Sequence, residues 1–404
     1  QLANTYSALG QHDDALKLNQ KALEFFQRVL RQDHPFIATS MSNLANTFLS
    51  LGRHDDSLKV HQQVLELRQR VLPQDHPDVA TAMKKLANTY TALGRLNDAL
   101  KLHEELLELR KRRLPQDHPD IATAMNQLAN TYSALGQHDD ALELNQKALE
   151  FFQRVLRQDH PFIATPMSNL ANTFSSLGRH DDSLKVQQQL LELRKRVLPQ
   201  DHPDIATSKK KLANTYTALG RLDDALKLHQ DLLEFRKRGL PQDHPDIATA
   251  MNQLANTYSA LGQHGDALKL NQKALEFFQR VLRQDHPRIA TSMSNLANTF
   301  SSLGRHDDAL KVHQQVLELW KRVLPQDHPD LATSMKKLAN TYTALGRHAD
   351  ALKLHQEVLE FWKRGLPQDH PDIATAMSQL ANTYSALGQH DDALKLIQKA
   401  LEFF

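Results

Sequence analysis

Residues 77–118 read PDVATAMKKLANTYTALGRLNDALKLHEELLELRKRRLPQDH. Pro77 follows His76 and suits the first turn of a helix, where a missing N–H forfeits no intrahelical bond. Ala80, Met83, Leu86, Ala87, Tyr90 and Leu93 recur at helical spacing and define one apolar face. Gly94 offers the left-handed backbone that ends such a helix. Asn97 and Asp98 are expected to cap a second helix and acidify its first turn. That helix carries Ala99, Leu102, Leu106, Leu107 and Leu114. It gathers Arg110, Lys111, Arg112 and Arg113 near its C-terminal dipole and breaks at Leu114–Pro115. The stretch predicts a helical hairpin of about 17 plus 19 residues.

The hairpin repeats. The Leu of Leu-Ala-Asn falls at 2, 44, 86, 128, 170, 212, 254, 296, 338 and 380, a spacing of 42 without insertion. A longer period lies above it: Leu-Asn-Gln-Lys-Ala-Leu-Glu-Phe-Phe at 18–26, 144–152 and 270–278 marks a triplet of 126 residues. One hairpin cannot bury its own apolar face, but stacked neighbours can, so the fold class is all-α: a solenoid of antiparallel helix pairs. No linker or composition shift interrupts it. The expected organisation is a single array over 1–404. Partial repeats at 1–34 and 371–404 flank full repeats at 35–76, 77–118, 119–160, 161–202, 203–244, 245–286, 287–328 and 329–370. Both ends fall inside repeats, as in a fragment, and the cut apolar faces predict head-to-tail self-contact.

Composition narrows the function classes. The 404 residues hold 49 basic and 47 acidic side chains, a balance that argues against a protein built to neutralise nucleic acid or anionic membrane. The absence of cysteine removes disulfides, thiolate chemistry and Cys-based zinc sites. No apolar run approaches the ~18 residues that span a bilayer. No Gly-rich phosphate loop, nucleophile elbow or strand-built site is present, so no enzyme is expected, and no cofactor.

Met83-x-x-Leu86-Ala87-x-x-Tyr90, followed by Gly94 and Ala99, resembles the tetratricopeptide helix pair, with Met and Ala where Trp and Gly are usual. With the Asp-His-Pro-Asp-Ile-Ala-Thr connector and a 42-residue unit, it is similar to the long tetratricopeptide repeats of kinesin light chains. Similar repeats occur at the C-terminus of fungal and bacterial NTPases of the innate-immunity-receptor type. Two departures stand out: His103 or Asn145 replaces a frequent aromatic, and a Leu-Pro-Gln-Asp-His-Pro connector replaces the closing proline. The resemblance covers the whole chain. It implies a right-handed superhelical solenoid, a cytoplasmic, non-catalytic protein-binding scaffold, and a concave groove lined by first helices.

One residue is foreign to the helical pattern. Asn is a mediocre helix former, because its amide competes for backbone hydrogen bonds. Yet Asn4, Asn46, Asn88, Asn130, Asn172, Asn214, Asn256, Asn298, Asn340 and Asn382 hold the same place. Thr81, Lys84 and Thr91 share the stripe of Asn88 by helical spacing, away from the apolar face. The resemblance implies that this stripe faces the groove. There a ladder of amides, each both donor and acceptor, could hold the backbone of an extended peptide. Amides that lock the repeat interface are the competing explanation, and copying by recent duplication is another. Lys84, Lys210 and Lys336, one turn before Asn88, Asn214 and Asn340, resemble part of a carboxylate clamp and would favour acidic ligands; solvated lysines on a wide groove are the alternative. The partner is therefore expected to be a protein or peptide with acidic character, with no nucleic acid and no membrane. A sensor array of a larger signalling NTPase and a purely structural assembly rod are the rival functions.

The remaining motifs read structurally. Nine of the 22 histidines precede proline, as His76 does, and are expected to cap the next helix. Eight precede the second helix, as His54 does, and five lie within it, as His61 does. His54 and His61 stand about 10 Å apart along a helix, too far to share a metal. Arg110 to Arg113 answer the helix dipole before they answer a nucleic acid. Trp320 and Trp362 replace Arg68, Arg110, Arg194 and Arg236, which predicts a partly buried rim position. Pro166, inside a first helix, should bend it or remove a backbone hydrogen bond.

Overall fold

The computed structural model describes residues 2–8, 11–367 and 370–401; the side chains of Asn4, Ser7 and Ala8 lie outside that description. The chain divides into two compact units, Gln1–Gln200 and Asp201–Phe404. In the first unit, antiparallel hairpins follow one another: Leu2–Ala8 with His12–Val29, Pro35–Ser50 with His54–Val71, Pro77–Ala92 with Leu96–Arg113, Pro119–Ala134 with His138–Val155, and Ala164–Ser176 with His180–Val197. The second unit repeats the plan with Pro203–Ala218 and Leu222–Gly239, Pro245–Ala260 and His264–Val281, Pro287–Ser302 and His306–Val323, Pro329–Ala344 and His348–Gly365, and Pro371–Ala386 and His390–Leu401. Within each unit, a second helix packs against its own first helix and against the first helix of the hairpin that follows it there, as Leu96–Arg113 does with Pro119–Ala134. This is the tetratricopeptide-like solenoid of the all-α class.

Local chemistry sets the boundaries. The connector histidine caps each complete first helix: His76 Nδ1 accepts from the Asp78 N–H at 3.1 Å, and His118 from Asp120 at 3.2 Å. Pro77 and Pro119 then occupy the first turn. Gly94, at φ 72°, closes the hairpin turn, and the Arg95 N–H bonds back to the Tyr90 carbonyl at 2.9 Å. A Cβ on Gly94 would meet nothing within 4 Å, so the requirement for glycine there is the left-handed backbone and not space.

Two expectations need correction here. Asn97 does not cap the second helix, which begins at Leu96 after Arg95 with no side-chain cap bond. Instead the Arg95 guanidinium lies 4.7 Å from the Tyr90 ring centre and bonds Asp98 Oδ2 through Nε at 2.8 Å. This clamp ties the second helix to the end of the first. Trp320 is not a rim residue: it is 7% exposed and packs in the apolar core of the second unit. Trp362 is only partly buried, at the edge of that core. At the equivalent places Arg68, Arg110 and Arg236 reach the next hairpin differently, Arg68 donating to the Asp78 carbonyl at 2.8 Å.

Pro166 acts as its chemistry requires. The other complete first helices start at their proline, but here Pro161–Ile163 forms a 3₁₀ turn and the α-helix starts only at Ala164. The Ala164 N–H bonds Pro161 O, so the turn before Pro166 is tightened.

Candidate functional site

The stretch Leu86-Ala87-Asn88-Thr89 divides its four side chains between two environments. Leu86 and Ala87 are buried, Ala87 completely, where a small side chain lets helices approach. Thr89 is buried too, but Asn88 points outward and is exposed. The same holds at Asn46, Asn130, Asn172, Asn214, Asn256, Asn298, Asn340 and Asn382, each exposed and each followed by a buried threonine. Burial in a repeat interface therefore does not explain the asparagine.

The threonine does that work, and sequence reasoning missed it. Thr89 Oγ1 donates to the Lys85 carbonyl one turn back at 3.0 Å, which leaves only lone pairs for a partner. His61, on the second helix of the preceding hairpin, lies with Nδ1 2.9 Å from Thr89 Oγ1, so Nδ1 carries the proton and donates. The pattern recurs 28 residues apart in each instance. His103 meets Thr131 at 2.9 Å, His229 meets Thr257 at 2.8 Å and His355 meets Thr383 at 2.8 Å. In the other repeat type an amide substitutes: Asn19, Asn145 and Asn271 donate to Thr47, Thr173 and Thr299 at 2.9–3.0 Å. Where the family often carries an aromatic, this chain places a hydrogen-bond donor. The signal was legible in principle, because His, Asn and Gln alternate at a position flanked by apolar residues, and a donor is what they share.

His61, His103, His229 and His355 are thus interface parts, whereas the buried Nδ1 of His313 meets no partner. Burial, with Lys85 nearby, pushes His61 down to about 4, and burial with Lys84 does the same to His103. His229 and His313 also fall to about 4, and His355 is lowered. The Nε2 atoms of His61, His103, His229 and His355 are buried without a partner, so a second proton there would bring an uncompensated charge. Among the described residues no group of three or more His, Asp or Glu could hold a metal ion, and no helix is long and apolar enough to cross a membrane.

The lysines sit less openly than the asparagines. Lys84, Lys210 and Lys336 are half-buried. The equivalent Asn252 is buried and accepts from Ser292 of the next first helix at 3.3 Å, so this position lies at the seam between first helices. The basic run is largely occupied: Arg110 donates to the Asp120 carbonyl at 2.8 Å, Lys111 pairs with Glu108 at 2.9 Å, and Arg113 pairs with Asp75.

Antiparallel hairpins stacked at a fixed interval, with the same exposed asparagine in each first helix from Pro35–Ser50 onward, define a helical-repeat array. The chain belongs to the tetratricopeptide repeat family. The family model matches residues 1–70, 37–112, 78–154, 120–196, 162–238, 204–280, 246–322, 288–364 and 330–404. Arrays of this family bind proteins and peptides. The chain is similar to the nearly identical TPR-like repeats of a Podosopora anserina protein named as a kinesin light chain, at 27% identity over 50% of this chain and 96% of that one, with a TM-score of 0.46. It is also similar to the apo form of the quorum sensor NprR from B. thuringiensis, at 15% identity over 90% and 98% of the chains, with a TM-score of 0.58. A third likeness is to a signal transduction ATPase with a tetratricopeptide repeat sensor from Pyrococcus horikoshii, at 15% identity over 94% and 54%, with a TM-score of 0.56. At 15% identity the likeness to the NprR and Pyrococcus horikoshii structures shows the fold alone. No curated protein matches the sequence.

Proposed function

We propose that the chain is a non-catalytic scaffold whose first-helix stripe holds an extended segment of a partner protein. The observation that carries this reading is the exposure of the repeated asparagine beside a buried threonine that already locks the interface. A residue unfavourable to the helix and outside the core is placed to meet a ligand. First helices of successive hairpins approach one another, as Pro119–Ala134 does Ala164–Ser176 and Pro245–Ala260 does Pro287–Ser302. Packing of this kind spaces the amides by about 10 Å, close to three residues of extended chain at ~3.3 Å each. Lys84, Lys210 and Lys336 bias the stripe towards acidic ligands. The sensor array of a larger signalling NTPase would use the same stripe, and the Pyrococcus horikoshii ATPase is named for such a sensor.

The test is an array of synthetic peptides probed with the chain and with its Asn88→Ala, Asn130→Ala, Asn256→Ala, Asn298→Ala variant. Loss of the bound peptides at unchanged thermal stability supports the stripe. Unchanged binding by that variant refutes it. Lys84→Ala with Lys336→Ala should remove the preference for acidic peptides while keeping the others.

A further inference from the structure

In the second unit the stripe carries two rhythms. The exposed asparagine returns once per repeat, at Asn214, Asn256, Asn298 and Asn340. Four residues before each stands Lys210, Asn252, Ser294 or Lys336, so an ammonium returns only at every third repeat. The two positions between the lysines are closed: Asn252 and Ser294 are buried, Asn252 accepting from Ser292 at 3.3 Å and Ser294 from Lys337 at 2.8 Å. Lys210 and Lys336 are half-buried, and among the described residues neither pairs with an acid. Their neighbours are engaged, Lys209 with Asp231 at 2.7 Å and Lys337 with Ser294. Helices Pro203–Ala218, Pro245–Ala260, Pro287–Ser302 and Pro329–Ala344 hold no acids except Asp204, Asp246 and Asp330, each at the second residue. Asp204 and Asp330 stand six residues before the lysines, ~9 Å along the axis.

The seam bonds also fix the scale. They join successive first helices directly, so these helices run at the separation of packed neighbours, about 8–10 Å. Three residues of a β-strand cover ~10 Å, but a strand turns alternate residues to opposite faces, so every third residue faces the stripe and then away from it. A polyproline II segment has three residues per turn and advances ~9.3 Å per turn, so it shows the same face to each first helix in succession. It makes no internal hydrogen bonds, which leaves one backbone carbonyl per turn for each asparagine amide. Three repeats then equal three turns, nine residues and ~28 Å.

Resting on the reading of this stripe as a ligand surface, we infer that Pro203–Ala218 to Pro329–Ala344 take a polyproline II segment of a partner protein with two acidic residues nine positions apart. Lys210 and Lys336 hold the two carboxylates. Asn214, Asn256, Asn298 and Asn340 hold the backbone once per turn.

Fluorescence anisotropy with end-blocked synthetic peptides and the full chain tests it. Two glutamates are set six, eight, nine or ten positions apart in a background of proline and alanine, and again in one of threonine and valine, which favours the β conformation. The nine-spaced proline peptide should bind about fivefold more tightly than the others. Lys210→Gln or Lys336→Gln should abolish the preference for nine and leave the affinity of a peptide with one glutamate. Ser294→Lys combined with Lys336→Ser brings the second ammonium one repeat closer and should move the best spacing from nine to six. Circular dichroism checks the fold of that variant, and the glutamine variants decide the matter if it unfolds. Equal affinity at every spacing, or tighter binding of the threonine–valine peptides, overturns the inference; if Asn256→Ala with Asn298→Ala still abolishes that binding, the stripe itself stands. No binding of any peptide, or binding indifferent to the asparagine variant, overturns both.

Discussion

Asn88 and Thr89 are neighbours in the chain and opposites in energetics. Replacing Asn88 by Ala removes an exposed amide from a helix and should change stability by no more than about 0.5 kcal/mol. Replacing Thr89 by Val keeps the shape but leaves the buried Nδ1–H of His61 only its longer 3.3 Å contact with Ser57 Oγ, which should cost about 1 kcal/mol. Urea unfolding of the two variants checks the contrast; equal losses would contradict the division of labour. The histidine end of the lock gives a pH dependence whose sign can be worked out. His61, His103 and His229 fall from an ordinary 6.5 to about 4 in the folded chain, so between these values the unfolded chain binds more protons. Their stabilisation is fully present above pH 6.5 and is lost as pH falls towards 4, on the order of 3 kcal/mol for each ring. The urea midpoint should therefore drop between pH 7 and 5. His→Asn at 61, 103 and 229, which copies the natural Asn145 solution, should flatten that slope; an unchanged slope would place the acid sensitivity elsewhere.

At the level of the helix, Pro166 offers the sharpest test. It removes a backbone donor and tightens the preceding turn into Pro161–Ile163. Pro166→Ser restores the residue found at Ser40 and Ser292, and the helix should then run unbroken from Pro161. A proline inside a helix costs ~3 kcal/mol, and its place near the N-terminus lowers that to about 1–2 kcal/mol of expected gain. A higher melting temperature, with slower amide exchange at residues 164–170, is the outcome to look for. Helix positions were legible in the sequence because they rest on local chemistry. His-Pro starts, Gly94 stops and the apolar spacing act within one turn, and 77–118 forms Pro77–Ala92 and Leu96–Arg113 within a residue or so of the expected lengths. One missed feature is local, and the others depend on neighbouring hairpins. Asn97 matched a capping residue, but the Arg95–Tyr90–Asp98 clamp displaced it. His61 gave no sign of its partner because Thr89 lies 28 residues away in the chain. Trp320 looked like a rim residue because arginine fills its place elsewhere, yet the arginine stem and the indole are both accommodated against the next hairpin. The asparagine stripe was legible as a pattern, and its exposure came from the structure.

At the scale of a whole unit, stability should be a sum of hairpin terms and nearest-neighbour interfaces, because within each unit a hairpin packs on those beside it. Leu232 is fully buried in the second helix of the hairpin 203–239 and packs in a core that includes Ile247 and Leu254 of the next first helix. Leu232→Ala should cost about 2–5 kcal/mol through lost burial and the cavity left behind. In a globular domain with a single shared core that loss would lower protection everywhere. In this array it should be felt by Pro203–Ala218, Leu222–Gly239 and Pro245–Ala260, which contact the altered helix. Helices Pro329–Ala344 and Pro371–Ala386 belong to the same compact unit but share no interface with it, so their amide exchange should stay close to that of the parent chain. Hydrogen exchange read by mass spectrometry resolves these segments. A uniform rise across 203–401 would mean that the second unit unfolds as one cooperative body. In that case a ligand on the asparagine stripe would stabilise distant repeats of that unit as strongly as the ones it touches.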